Sequence, residues 1–138
     1  MNVEDYELQI KKNGLELKNI DYEKQTYELR ILAVKQNGYA LKYINYKDQT
    51  YEICKLAVEQ NYYALEFVYE KYKTEELCIY AINKEGCLLD FIPFPTEKLC
   101  ILAVKQNGLA LRYVPSNYKT SELCEIAIKQ NKYALQYK

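Results

Sequence analysis

The chain has 138 residues, 49% of them hydrophobic, and its 19 basic side chains balance 19 acidic ones with no histidine. That is the length of one ordinary domain with enough apolar material for a core, and the balanced charge excludes a global field drawing the protein to nucleic acid or anionic membrane. No run of about eighteen apolar residues occurs and the acidic opening Met1–Asp5 leads into none, so the sequence predicts no membrane span, no export signal and a cytoplasmic location.

In chain order, the elements recur. Asn13, Asn37 and Asn61 stand 24 apart, Glu85 takes the next slot, and Asn107 and Asn131 follow after steps of 22 and 24. The stretch LAVKQNG at 32–38 returns letter for letter at 102–108, three repeats downstream. A period this short marks an array of stacked supersecondary units. The predicted fold class is all-α: an α-solenoid of six two-helix repeats of about 24 residues, at 2–25, 26–49, 50–73, 74–95, 96–119 and 120–138, forming one domain over 1–138.

The first repeat is the most polar, with Gln9, Glu16 and Asn19 where the second has Ala33, Ala40 and Tyr43, and reads as a cap on the array. In the second, Thr26 precedes an apolar-periodic run with Glu28 in its first turn. A threonine hydroxyl there accepts an orphan N–H, and a carboxylate suits the positive helix end. Thr50/Glu52, Thr74/Glu76 and Thr120/Glu122 copy the device. Counted from Thr, apolar residues fall at +3, +4, +6, +7 and +8, a stripe wide enough to need neighbours on two sides. Asn37-Gly38 is expected to stop the helix, with glycine in the left-handed conformation, before a shorter helix bearing Ala40, Leu41, Tyr43 and Ile44. Pro93 and Pro115 end that second helix in repeats four and five.

Leu99-Cys100, Ala103-Val104, Asn107-Gly108, Ala110-Leu111 and Val114-Pro115 carry a resemblance. They are similar to the unit L-C-x-x-A-V-x-x-N-G-x-A-L-x-x-V-P of an uncharacterised helical repeat family, a domain of unknown function found in bacteria, protists and large viruses. The resemblance covers 26–138 well and 2–25 poorly. It implies a helical repeat fold and supplies no catalytic or binding residues. Glu85, Tyr62 and Lys132 depart from the pattern at the turn.

Cys54, Cys78, Cys100 and Cys124 share the +4 slot, which holds Arg30 in the second repeat and Tyr6 in the first. Neighbouring helices lie about 8–10 Å apart, too far for a disulfide ladder, and neither a close cysteine pair nor a histidine offers a zinc site. The cysteines read as small buried apolar residues in a reducing compartment, with no metal and no cofactor. Without histidine the usual serine or cysteine activation is absent, and no phosphate-cradling glycine motif occurs, so the chain reads as non-enzymatic.

Three ladders remain. At +17 lie Tyr43, Phe67, Phe91, Tyr113 and Tyr137, either a base-stacking row or, preferred here, an aromatic spine packing short helix on long. At +13, Tyr39, Tyr63 and Tyr133 are candidates for contact with a partner. At +10, Gln36, Gln60, Gln106 and Gln130, flanked by Lys35 and Lys105, either cap the helix end, the preferred role, or bind something there.

The net charge changes sign along the array, with an acidic fourth repeat, which suits a protein partner better than a strand-tracking groove. The expectation is therefore a protein-interaction module, with RNA or single-stranded nucleic acid as the alternative partner. The spread of the resembling family suggests engagement or inhibition of a host or competitor protein, in analogy only. The last repeat keeps its apolar residues, so Leu123, Ile126, Leu135 and Tyr137 are the expected edge for a homodimer or a partner, against a monomer shielded by Lys129, Lys132, Gln130 and Gln136.

Overall fold

The computed structural model describes residues 1–138, all-helical and without strands. The chain forms two compact units, Met1–Lys73 and Thr74–Lys138, each holding three repeats. Every repeat opens with a ten-residue α-helix. In the first unit these are α1 (Val3–Lys12), α2 (Tyr27–Gln36) and α3 (Tyr51–Gln60); in the second, α4 (Glu75–Lys84), α5 (Glu97–Gln106) and α6 (Ser121–Gln130).

Each start is written locally. Thr26, Thr50, Thr74, Thr96 and Thr120 accept the backbone N–H three residues on, at 3.1–3.3 Å, and Asn2 does the same for α1 in a reciprocal capping box with Asp5. Ten residues are too few for a stable isolated helix, so packing must supply the rest. Within the first unit α2 lies between α1 and α3, and within the second α5 lies between α4 and α6. The middle helices bury both flanks: Leu29, Ala33 and Val34 in α2, like Leu99, Cys100, Ala103 and Val104 in α5, are essentially inaccessible. The +6 residues Leu32, Leu56 and Leu102 are half-exposed, so the buried stripe is narrower than the apolar pattern predicts.

The second element of each repeat is a six-residue 3-10 helix: Gly14–Asn19, Gly38–Tyr43 and Tyr62–Phe67 in one unit, Gly86–Phe91, Gly108–Tyr113 and Lys132–Tyr137 in the other. Three residues per turn bring every third side chain to one face. Gly38, Leu41 and Ile44 are accordingly buried together. These short helices form a second layer, and each of the α-helices α2, α3, α5 and α6 also packs on the short helix of the repeat before it.

The turn between the two helices differs from expectation. No glycine has positive φ. Asn37, extended at φ −153° and ψ 113°, ends α2 by donating its N–H to the Ala33 carbonyl and starts the 3-10 helix by accepting from the Tyr39 N–H at 3.0 Å. Asn61, Asn107 and Asn131 act alike, and Glu85 keeps the same geometry with a carboxylate accepting from Cys87 N–H at 3.0 Å. Glycine is needed for a different reason. A Cβ on Gly38 would strike the Ala57 carbonyl of the next repeat, and those on Gly14, Gly86 and Gly108 would strike the carbonyls of Ala33, Ala103 and Ala127. The left-handed role is thus replaced by close approach between repeats.

Candidate functional site

The glutamine ladder belongs to this close approach. Gln36 Oε1 accepts from Gly14 N–H at 2.6 Å, Gln60 from Gly38 at 2.5 Å, Gln106 from Gly86 at 2.5 Å and Gln130 from Gly108 at 2.6 Å. Each glutamine caps the start of the 3-10 helix of the preceding repeat, not the end of its own helix, with its acceptor oxygen already engaged. Gln106 and Gln130 also return their Nε2 to the carbonyls of Lys84 and Gln106. Lys35 and Lys105 beside them are exposed.

A second set of bonds ties the repeats at their other end. Gln25 and Gln49, both buried, donate Nε2 to the carbonyls of Tyr43 and Phe67 in the following repeat, and Lys119 Nζ donates to that of Tyr137 at 3.0 Å. The two glutamines differ. Gln49 Oε1 accepts the Tyr69 N–H at 2.8 Å and the Cys54 thiol at 3.3 Å. Gln25 Nε2 serves three carbonyls, those of Leu17, Ile20 and Tyr43, while its Oε1 accepts nothing. Arg30, in the slot that holds Cys54 in the next repeat, reaches Asp48 at 3.2 Å and the Tyr22 carbonyl at 3.5 Å, pinning two successive loops to α2.

Those loops carry the most exposed aromatic surface of the first unit. Tyr22, Tyr46 and Tyr69 are 57%, 61% and 41% exposed. Tyr46 stacks on Tyr69 with centroids 5.5 Å apart, Tyr72 meets Tyr69 edge-on at 6.3 Å, and Lys71 Nζ lies over both Tyr69 and Tyr72. Two grooves run between the loops. One, of about 540 Å³, is lined by Lys18, Asp21, Tyr22, Glu23, Gln25 and Tyr43; the other, of about 280 Å³, by Tyr22, Leu41, Ile44, Tyr46 and Phe67. Tyr22 is a wall of both.

The predicted ladders divide around this surface. The +17 rings Tyr43, Phe67, Phe91, Tyr113 and Tyr137 are half-buried, neither a free stacking row nor a sealed spine. Of the +13 tyrosines, Tyr39 is exposed and packs edge-on against Phe67 at 6.1 Å, Tyr63 lies against Tyr62 at 4.9 Å, and Tyr133 projects from the last repeat with Lys132 over its ring. Tyr39 and Tyr63 thus lie on the 3-10 helices of the first unit and Tyr133 in the other unit.

In the second unit the corresponding loops are Pro93-Phe94-Pro95, with Phe94 89% exposed, and Pro115–Tyr118. Arg112 lies 5.1 Å from the Tyr113 ring centroid and 5.4 Å from that of Tyr137. A groove of about 290 Å³ between α5 and α6 is lined by Ile101, Lys105, Tyr118, Leu123 and Ile126, with Glu97 and Glu122 at its rim. Among the expected edge residues Leu123 is buried, Ile126 and Tyr137 are half-exposed, and Leu135 stands 61% exposed where Leu111 is fully covered.

The +4 cysteines are buried in the helix interfaces. Burial pushes the Cys54 thiol up to about 12 and the Cys100 thiol to about 11; burial, followed by the charge of Glu85, raises half-exposed Cys87 to about 11. Cys54, Cys87 and Cys100 are therefore thiols, not thiolates, at neutral pH.

A family model described as "Domain of unknown function (DUF4116)" matches residues 50–95 and again 96–137. The chain belongs to this family. Each match spans two of the 24-residue-type repeats, and the family's description assigns no activity or partner. No curated protein and no solved structure matches the chain.

Proposed function

We propose that the chain is a non-enzymatic protein-interaction module whose principal contact surface is the tyrosine-bearing loop face of residues 1–73. The observation that carries this reading is the set of exposed loop rings Tyr22, Tyr46 and Tyr69 on one unit, Tyr22 and Tyr46 walling a groove and Tyr46 stacked on Tyr69. Tyrosine supplies rigid, amphipathic contact area with one polar end, and it is enriched where protein surfaces meet. The +10 glutamines, by contrast, already have framework partners, which favours the loops over the ladder as the contact surface.

RNA or another single strand is the second reading, favoured by the same rings as stacking platforms. Charge weighs against it: residues 1–73 hold 11 basic and 12 acidic side chains, a net −1, whereas phosphate binding draws on positive charge. A host or competitor protein as the target, and a cytoplasmic site of action in keeping with the buried core thiols of Cys54, Cys100 and Cys124, belong to the same proposal. So does a homodimer through Leu135 and Tyr137. Purification from the native cell, followed by absorbance at 260 nm and mass spectrometry of what is retained, tests the reading. A stoichiometric polypeptide with no excess 260 nm absorbance is the expected result; retained nucleic acid would overturn it.

A further inference from the structure

At two helix interfaces the first residue of one helix bonds to the second residue of the next. Between α2 and α3 the pair is Tyr27 and Glu52, the tyrosine hydroxyl donating to the carboxylate. Between α4 and α5 it is Glu75 and Lys98, an ion pair at 3.5 Å. Between α5 and α6 the same two places hold Glu97 and Glu122, two acceptors without a donor. Both are exposed and neither takes part in an ion pair.

These carboxylates line the groove of about 290 Å³ between α5 and α6. Glu97, Ile101 and Lys105, also on its lining, fall at four-residue steps and form one stripe along α5, about 12 Å from first to last. Glu122 and Ile126 make the facing stripe on α6. The two helices run in the same direction, because Gln130 Nε2 bonds to the Gln106 carbonyl where both end. The groove is therefore acidic where the helices begin, apolar at half-exposed Ile101 and Ile126, and basic at Lys105, which is exposed and has no acidic partner. Glu125 and Lys129 lie outside the lining. On α3, by contrast, Lys55 and Glu59 pair within the helix at 3.9 Å.

We infer that a second copy of the chain docks antiparallel on this groove, Glu97 of each copy meeting Lys105 of the other across a centre of Ile101 and Ile126. The groove holds, at its two ends, the donor and the acceptors that it lacks a partner for, so a reversed copy of itself is the complementary surface. A twofold axis lying across the helices produces that reversal, whereas a parallel arrangement would set carboxylate on carboxylate. Ten-residue helices are about 15 Å long and lie about 8–10 Å apart, so the contact covers a few hundred Å² per copy, the size of a weak, transient interface. This contact is separate from the tyrosine loops and from the Leu135–Tyr137 edge, and goes beyond the reading given for them.

The test is sedimentation equilibrium of the full chain from about 10 to 500 µM, the range of a weak contact. A monomer–dimer equilibrium is expected for the parent. Glu97→Lys and Lys105→Glu should each weaken association at least about tenfold, because two attractive pairs become repulsive. An equal mixture of these two variants should associate again, since each supplies the charge that the other has lost. Leu135→Glu should leave the equilibrium unchanged. Both charged sites are exposed, so the variants should fold; Glu97→Gln, with a smaller loss, gives a second reading should a reversal melt the protein. The inference is overturned by a monomer throughout the range, by a dimer indifferent to both reversals, or by a mixture that stays monomeric. It is overturned equally if Leu135→Glu dissociates the dimer and the reversals do not, which would place the second copy at the edge. Each of these outcomes leaves the loop-face interaction reading standing.

Discussion

The two units share a framework and differ in what they display. Gly38 with Gln60 in one and Gly108 with Gln130 in the other make the same bond, 2.5 and 2.6 Å long, over the same buried alanine carbonyl. Their loops have little in common: Asp21–Gln25 and Asn45–Gln49 carry exposed tyrosines, whereas the second unit has Pro93-Phe94-Pro95 and Pro115–Lys119. The difference teaches that the displayed rings and the stacking bonds are written by separate residues, so the ring positions vary between units while Gln25, Gln49 and Lys119 at the loop ends keep tying each repeat to the next.

The glycine and glutamine slots make the comparison sharper. Gly14, Gly38, Gly86 and Gly108 each have a glutamine 20 or 22 residues on, while Tyr62 is followed by Lys84, and the unit boundary at Lys73–Thr74 falls at that step. The largest effects should come from breaking the close approach. Gly38→Ala, Gly108→Ala and Ala103→Leu should each cost about 1–3 kcal/mol in chemical denaturation, because backbone or a packed helix must move. Tyr62→Ala and Lys132→Ala, in the same slot, should stay within about 0.5–1 kcal/mol. Equal costs at Gly38 and Tyr62 would show that the glycine serves the turn and not the approach.

Removing the cap comes next. Gln60→Leu leaves the Gly38 N–H without its acceptor and should cost about 1–2 kcal/mol, with Gln60→Glu retaining most of the stability at neutral pH. Thr50→Ala should cost about 0.5–2 kcal/mol, and Thr50→Ser or Thr50→Asp much less. An unchanged urea midpoint for the alanine variant would place the helix start elsewhere.

The smallest effect is a pH dependence. The folded state holds the Cys54 and Cys100 thiols above their ordinary value, at about 12 and about 11, so the unfolded chain releases these protons first. Their contribution is complete below about pH 8.5, where the free thiol begins to titrate, and is lost as pH rises through the folded values. Cys54→Ala, which removes one such group, should therefore show a shallower decline in stability between pH 8 and 10 than the parent; an identical slope would contradict the assignment.

Much of this was legible in the residues. The repeat count, the threonine caps and the burial of the +4 cysteines follow from local spacing, because capping and amphipathic burial act within one helix. The role of Gly38 was not, since the carbonyl that excludes its side chain lies in the next repeat. A signal existed nonetheless: glycine and glutamine are present together or absent together, Tyr62 and Lys84 included. The loop tyrosines escaped the ladders because Tyr46 lies at +20 and Tyr69 at +19, so a strict register splits a pair that stacks in space. Arg30 read as a mere gap in the cysteine column, and only the fold shows it holding the Tyr22 and Asp48 loops.

The claim that recognition resides in the loops of residues 1–73 is tested most directly by quantitative mass spectrometry of what the native cell leaves bound to three tagged proteins: the parent, Tyr22→Ala/Tyr46→Ala and Phe94→Ala. The account predicts a polypeptide retained by the parent and by Phe94→Ala and depleted at least about tenfold from the double tyrosine variant, with all three melting alike. Retention by the double variant equal to the parent, with loss in Phe94→Ala, would place the contact surface in the other unit and contradict it.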